Sequence, residues 1–247
     1  MPDAGKAKRA VLVVGAGDAT GGAIARRFAR EGYVAVCTRR EVASLDPLLQ
    51  QIRADGGEAH GFGSDARVEE DVTALFEKIE TEIAPLEAVI FNIGANVHFP
   101  IRDTTARVYR KVWEMAAFAG FLAGREAAKV MVPRGKGTII FTGATASIRG
   151  REGFSAFSGA KFALRALAQS MARELGPEGI HVAHTIIDGA IDTEWIAKNF
   201  PARYALKEQG GILNPDHIAD AYWMLHAQPR DAWTHELDLR PWMEKMA

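Results

Sequence analysis

The sequence contains only one cysteine, Cys37, and no excess of charge of either sign. A single thiol cannot form a disulfide within the chain or a CxxC metal site, so a disulfide-stabilised fold is excluded and no bound metal is expected. The 30 lysines and arginines oppose 31 aspartates and glutamates, which leaves a formal net charge of -1. This balance argues against a polybasic protein that binds nucleic acid or an anionic membrane surface.

Long hydrophobic runs are also missing. The most apolar long stretch, 112–124, contains Glu114 and is shorter than the roughly 20 apolar residues that a membrane-spanning helix needs. Residues 1–6 lack the apolar core of a signal peptide. We therefore expect a cytoplasmic protein with neither a membrane nor a nucleic acid as partner.

The sequence instead shows an alternation of short β-branched runs and longer segments of helical period. The runs that predict strands are 10–14, 33–38, 88–92, 138–142 and 181–187. The segments that predict helices are 21–31, 42–54, 69–82, 104–132 and 155–175. Apolar strands separated by helices indicate a parallel sheet covered on both faces. We expect an α/β fold with a doubly wound, Rossmann-like parallel sheet, one domain over 1–247, and ligands at the carboxyl ends of the strands.

A glycine-rich turn joins the first predicted strand to the first predicted helix. Its glycines would allow a tight turn, a close approach of the backbone to a pyrophosphate and close packing of the helix. Free N–H groups at the start of the helix would face the phosphates. The turn therefore predicts a dinucleotide site formed by Gly15, Gly17, Asp18, Ala19, Thr20 and Gly21.

The end of the second predicted strand indicates which dinucleotide would bind. Folds that prefer NAD place an acidic residue there for the ribose hydroxyls. This strand instead ends in Thr38, Arg39 and Arg40, and Glu41 is the first acid. Two guanidinium groups suit a 2′-phosphate in charge and geometry, although solvated loop arginines are a common alternative. We expect NADP(H) rather than NAD(H).

With these motifs the chain resembles the short-chain dehydrogenase/reductase family over nearly its full length. The spacing of the glycines matches, with Ala19 where a middle glycine is usual. The resemblance implies an oxidoreductase that uses a nicotinamide cofactor, with Lys161 at the nicotinamide ribose. It also implies cofactor contacts after the third, fourth and sixth strands, at Ser64, Asp65, Ala66, Asn92, Gly94, Gly189, Ile191 and Thr193.

The same resemblance implies a catalytic Asn, Ser, Tyr and Lys, and three of these four positions differ. Phe157 stands at the Tyr position, Ala144 at the Ser position and Ala117 at the Asn position, so that Lys161 alone is retained. A phenyl ring has no ionisable proton. We therefore expect an atypical oxidoreductase in which another group must exchange the proton with the substrate oxygen.

Three hypotheses account for the changed residues. In the first, the chain remains an oxidoreductase and the proton comes from a water on Lys161, a nearby hydroxyl or an imidazole. The candidate side chains are Ser155, Ser158, Thr142, Thr145 and His98. In the second, the chain is a catalytically silent NADP(H)-binding homologue with a scaffold or regulatory role. In the third, it catalyses a non-redox reaction with Asp188 as a base. We favour the first.

A lid over about 191–213 is expected to select the substrate. Trp195, Phe200 and Tyr204 could cover an apolar or aromatic carbonyl or alcohol, or could simply pack the lid onto the body. In the family, helices corresponding to 104–132 and 155–175 form a dimer interface. The end of the chain alternates like a last strand and carries Trp233 and Trp242, so we expect a homodimer or homotetramer.

Overall fold

A seven-stranded sheet forms the centre of the protein in the computed structural model, which describes residues 7–245. The prediction made from residues 1–6 lies outside the described residues. The strands are β1 (Ala10–Val14), β2 (Val34–Arg39), β3 (Ala59–Gly63), β4 (Leu86–Phe91), β5 (Gly137–Thr142), β6 (Ile180–Ile187) and β7 (Glu236–Leu239). Their order is β3-β2-β1-β4-β5-β6-β7, and every neighbouring pair is parallel. The predicted doubly wound α/β fold is confirmed.

Helices cover both faces of this sheet. They are α1 (Thr20–Arg30), α2 (Asp46–Ala54), α3 (Glu69–Glu82), α4 (Ala106–Trp113), α5 (Ala119–Met131), α6 (Ser155–Leu175), α7 (Glu194–Asn199), α8 (Pro201–Tyr204) and α9 (Pro215–His226). The long helix predicted over 104–132 is interrupted by a π-helical turn, Glu114–Phe118, between α4 and α5. Within the described residues, no helix combines the length and the hydropathy needed to cross a bilayer.

Alternate residues of each central strand face two different cores. In β1, Leu12 and Val14 pack with the layer formed by α3, α5 and α6. Val11 and Val13 pack with the layer formed by α1, α2 and α9. Because both faces of the sheet are buried, the strands read as continuous apolar runs in the sequence rather than as an alternating pattern.

β3 is a strand that the β-branched runs did not predict. Its sequence, Ala-His-Gly-Phe-Gly, contains two glycines and no β-branched residue, so its intrinsic strand propensity is low. Pairing with β2 nevertheless holds it in the sheet. A Cβ atom on Gly61 would lie 2.6 Å from Cδ1 of Leu49, so the glycine lets α2 pack closely against the strand.

Parallel pairing also brings several distant loops together. β1, β4, β5 and β6 are neighbours in the sheet, so the loops that follow them leave from the same edge. Ligands of open α/β sheets bind at this carboxyl edge. The fold therefore places the glycine turn after β1 next to segments that lie far from it in the sequence.

Candidate active site

A groove runs along the carboxyl edge of the sheet. Its larger part, about 540 Å³, lies between the loops that follow β1, β4, β5 and β6. Its smaller part, about 160 Å³, lies beside the ends of β2 and β3. Gly15 and Ile93 line both parts, which are therefore successive sections of one elongated site.

Most residues predicted to contact a cofactor line this groove. Those of the larger part are Gly15, Gly17, Asp18, Ala19, Thr20, Gly21, Asn92, Gly94, Lys161, Gly189 and Ile191. Those of the smaller part are Thr38, Arg39, Arg40, Ser64, Asp65 and Ala66.

Thr193 is positioned differently. Its hydroxyl accepts a hydrogen bond from the Ile196 N–H at 3.1 Å and caps α7, and among the described residues it is not part of the groove wall. The structure therefore gives Thr193 a capping role, and its contact with a cofactor stays a prediction.

The glycine turn has the geometry that a pyrophosphate requires. Gly15 has a φ of 86°, a conformation that side chains with a Cβ rarely adopt. A Cβ on Gly21 would lie 2.5 Å from the Gly15 carbonyl oxygen, so only glycine allows α1 to start so close to the turn. The first turn of α1 has no side-chain cap, which leaves its N–H groups available to an anion. The turn therefore fits a dinucleotide.

The smaller part of the groove carries an uneven distribution of charge. Asp65 accepts a hydrogen bond at 2.9 Å from Nε of Arg67, and this guanidinium holds the pKa of the carboxyl below its usual range. Arg67 was not selected from the sequence, although its position two residues after Asp65 was a signal. Among the described residues, Arg39 and Arg40 have no hydrogen bond or ion pair through their guanidinium groups. Two guanidinium groups therefore line this end without a direct protein partner, although the Asp65 carboxylate attracts Arg40 from across the groove.

Lys161 lines the larger part and is only 2% exposed. Its Nζ donates hydrogen bonds to two backbone carbonyls, Ile93 O at 3.1 Å and Thr142 O at 2.7 Å. Burial disfavours the ammonium form and lowers the pKa of Lys161 to about 7. The side chain can therefore gain and lose a proton near neutral pH.

The surroundings of Lys161 are apolar where the resemblance implies polar groups. The Phe157 ring lies one helical turn earlier on α6, with its centroid 5.9 Å from Nζ, and it lines the groove together with Ala144. Ala117 is buried in the π-helical turn and is not part of the groove wall within residues 7–245. No side chain in this part of the chain hydrogen-bonds Nζ.

The hydroxyls proposed as substitute proton donors are engaged or lie elsewhere. Thr142 contacts the Tyr222 hydroxyl at 2.8 Å, and Ser158 Oγ lies 3.5 Å from the Arg149 carbonyl oxygen. Ser155 has a buried hydroxyl that does not reach the groove wall in the described part of the chain.

His98 is not brought into the groove. Its ring packs edge-on against Phe154, with the ring centroids 4.9 Å apart, and contacts the backbone at Gly153. His98 is not among the described residues that line the groove, so the geometry does not support a catalytic role for it. The sequence places His98 four residues after Gly94, but among the described residues only Gly94 lines the groove and His98 does not.

Asp188 is buried at the floor of the groove, with 1% of its surface exposed. Its Oδ1 accepts a hydrogen bond from the Thr145 hydroxyl, and its Oδ2 lies 3.5 Å from Nη1 of Arg240. These two partners tie the loop after β6 to the loop after β5 and to the end of β7. The carboxylate is therefore part of a structural contact, which does not favour the hypothesis of a free base.

The side of the groove opposite the glycine turn contains residues that were not selected from the sequence. Arg149, Arg151 and Phe154 come from the loop between β5 and α6, and Arg203 comes from the predicted lid. The loop lies between Ala144 and Phe157, two positions already assigned to the site, and this was the available signal. Within the lid, Trp195 and Phe200 line the groove, whereas Tyr204 packs near Lys207 instead.

The described side chains do not supply what a metal site requires. Within residues 7–245, no three His, Cys, Asp or Glu side chains come together in a way that could hold a metal ion.

Known proteins resemble this chain in sequence and in fold. The family model described as short chain dehydrogenase matches residues 9–203. A short-chain dehydrogenase/reductase of Armillaria gallica is 33% identical over 177 residues, which are 70% of this chain and 68% of the relative. The crystal structure of a short-chain dehydrogenase from Rhodopseudomonas palustris is 49% identical, covers 95% of this chain and 99% of its own, and has a TM-score of 0.81. A metagenomic short-chain oxidoreductase in complex with NADP shares the fold, with 23% identity, 96% and 98% coverage and a TM-score of 0.79.

The buried amine predicts a pH-dependent stability. An unfolded lysine has a pKa near 10.4, so between pH 7 and pH 10 the unfolded state binds more protons than the folded state and folding becomes more favourable as the pH rises. Lys161→Met removes this dependence. The free energy of unfolding of the wild type, relative to Lys161→Met, is expected to increase by up to about 4 kcal/mol from pH 6 to pH 10.

Urea denaturation at each pH measures this difference. Lys78→Met, at an exposed position on α3, is the matched control and should show a constant difference. The unsatisfied carbonyls left by Lys161→Met add an offset that does not depend on pH. A pH-independent difference for Lys161→Met would show that the amine is not desolvated.

Proposed function

Because this chain belongs to the short-chain dehydrogenase/reductase family of oxidoreductases, we propose that it uses NADP(H) to interconvert a carbonyl compound and an alcohol in the groove. The observation that carries the proposal is the position of Lys161, buried in the wall of the same groove that the pyrophosphate-fitting glycine turn lines. The cofactor end and the reaction centre are thereby part of one continuous site.

Different residues of the groove would bind different parts of the cofactor. The turn from Gly15 to Gly21 would hold the pyrophosphate, Asp65 the adenine, and Arg39 with Arg40 the 2′-phosphate. A bound nicotinamide dinucleotide supplies a hydride in reduction or accepts one in oxidation. The NADP complex of the metagenomic relative, which has the same fold, is consistent with this choice of dinucleotide.

We propose that Lys161 exchanges the proton with the substrate oxygen, directly or through one water. A neutral amine has two N–H groups, which can donate hydrogen bonds to the carbonyls of Ile93 and Thr142. Its one lone pair then remains available to a ligand in the groove. The ammonium form differs only by a third N–H at that position. Both states therefore keep the two backbone hydrogen bonds, and the proton that changes is the one available to a ligand.

The lining of the groove supports an apolar or aromatic group on the substrate. Phe154, Phe157, Trp195 and Phe200 all contribute to its wall. Aromatic side chains in a pocket of this kind provide a large apolar contact area for a ligand.

A second candidate function is nucleotide binding without turnover. The observation that favours it is the absence of any hydroxyl at Ala144 and Phe157, which line the groove beside Lys161. Loss of a positioned acid–base group costs about 10²–10⁴ in rate, so a chain without a substitute donor would bind NADP(H) and react very slowly.

Turnover separates the two functions. We expect the wild type to oxidise NADPH with at least some members of a panel of aryl and alkyl ketones and aldehydes. The reduction rate should fall as the pH rises above about 7, because the protonated donor is lost. Lys161→Met should reduce kcat by about 10²-fold or more, and Lys78→Met should leave it unchanged. The decrease of NADPH absorbance with time measures turnover, and fluorescence titration with NADPH measures binding separately.

Phe157→Tyr completes this experiment. A phenol at this position would place an acid–base group on α6 beside Lys161, so the rate should increase and its pH profile should change. If the wild type binds NADPH, reduces no member of the panel and gains activity only as Phe157→Tyr, the second candidate function is correct and our proposal is wrong.

The two arginines at the end of β2 predict the choice of cofactor. Arg39→Ala and Arg40→Ala should each weaken NADPH binding by about 10-fold or more, since each removes a charged hydrogen-bond donor to the 2′-phosphate. NADH binding should hardly change. Fluorescence titration with both cofactors measures this, with Arg173→Ala, at an exposed position on α6, as the control. Equal losses for NADH and NADPH would contradict a role in phosphate recognition.

We also propose self-association through one aromatic face. Tyr109, Trp113, Phe121 and Phe162 lie on α4, α5 and α6 and are each 40–45% exposed. Phe118 stacks between Trp113 and Phe121, with ring centroids 6.0 Å and 6.1 Å apart. Contiguous exposed apolar surface of this kind is typical of interaction sites.

Light scattering coupled to size-exclusion chromatography should therefore find a homodimer or homotetramer. Trp113→Glu should shift the protein toward the monomer, because it places a charge in the apolar contact. Met224→Glu, on α9 in the opposite helical layer, is the matched control and should leave the mass unchanged. Trp233 stacks on His181, whereas Trp242 is 77% exposed, so Trp242 is the better candidate for a tetramer contact. A monomeric wild type would contradict the proposal.

A further inference from the structure

Two arginines line the substrate side of the groove without a protein counter-charge. Arg149 and Arg151 belong to the loop between β5 and α6. Within the described residues, neither guanidinium forms a hydrogen bond or an ion pair, and Nε of Arg149 is buried without an acceptor. Buried polar atoms are hydrogen-bonded in most folded proteins, so this donor points to a partner from outside the chain.

The other charged groups near this part of the groove have protein partners. Arg203 forms an ion pair with Glu244, and Arg240 lies beside Asp188. Within the described residues, Arg149 and Arg151 have no such carboxylate partner. Arg149 is partly buried, and a guanidinium in a partly desolvated wall is unfavourable unless an anion compensates it, whereas Arg151 is exposed to solvent at the groove.

The position of the two arginines separates them from the expected cofactor phosphates. The pyrophosphate would lie at the turn after β1, and β4 lies between β1 and β5, so two strand spacings, about 10 Å, separate the turn from the end of β5. The 2′-phosphate would lie farther away, beside Arg39 at the end of β2. Arg149 and Arg151 instead share the groove wall with Phe154, Phe157 and the aromatic lid residues.

We propose that the substrate is an anion: a carbonyl compound, or the corresponding alcohol, with an apolar or aromatic body and a carboxylate that Arg149 and Arg151 bind. The inference rests on the proposed function and names the substrate class of the same site. The forked guanidinium groups match the two oxygens of a carboxylate. The aromatic wall contacts the body, and the oxygen that is to be protonated lies toward Lys161.

Two probes of equal shape and different charge test this inference. Isothermal titration calorimetry compares 4-acetylbenzoate with the neutral 4-acetylbenzamide on wild-type protein saturated with NADP⁺. The carboxylate should bind about 10-fold more tightly or better, and its advantage should shrink at high salt. Arg149→Met and Arg151→Met should each remove most of this advantage, whereas Arg173→Met should preserve it.

Equal affinities of the wild type for the two probes, including a lack of measurable binding by both, would overturn the inference. A carboxylate advantage that survives both Arg149→Met and Arg151→Met would also overturn it. So would variants that lose affinity for NADP⁺ and keep the preference for the carboxylate, because the arginines would then serve the cofactor. Thermal melting checks that each variant folds, and if Arg149→Met does not fold, Arg151→Met and the wild-type comparison decide.

Turnover is read separately from binding. If neither ketone is reduced but the carboxylate still binds more tightly through the two arginines, the proposed oxidoreductase function fails and the anionic ligand class stands. If both ketones are reduced with the same kcat/KM and bind equally, the function stands and the anionic substrate class fails.

Discussion

The parallel pairing of β1, β4, β5 and β6 is the constraint on which the site depends. Because these neighbouring strands run in the same direction, the loops after them must leave at one edge. Lys161 holds two of these strand ends together from α6. Its Nζ donates one hydrogen bond to a carbonyl just after β4 and another to a carbonyl at the end of β5. One buried side chain thus links the helix to two strand ends in the wall of the groove.

The surroundings of Lys161 determine the pKa of its amine. Phe157 and Ala144 offer no hydroxyl to the groove, and Phe157 places an aromatic ring within 5.9 Å of Nζ. With few polar neighbours and little exposure to water, the ammonium loses solvation and the pKa of Lys161 moves to about 7. In the proposed reaction, the buried amine can exchange a proton at neutral pH without a phenol beside it.

Positively charged side chains are concentrated at particular positions in the groove, although the net charge of the chain is close to zero. The chain as a whole is almost neutral, but the groove has unpaired arginines at both ends and a titratable lysine between them. Arg39 and Arg40 flank the section proposed for the cofactor ribose, and Arg149 and Arg151 flank the aromatic section. An elongated ligand pair with negative charge at both ends and an apolar middle complements this distribution.

The sequence by itself determined the fold class, the glycine turn and the presence of Phe157 and Ala144 near Lys161 rather than hydroxyl side chains, because strand runs, turn glycines and residue identities are local properties. The tertiary structure decided which side chains reach the groove. β3 exists because β2 pairs with it despite weak propensity. His98 packs away from the groove, and Arg149 lines it without a protein partner. Burial, pKa and missing counter-charges depend on contacts between segments distant in sequence, so only the folded chain could define them.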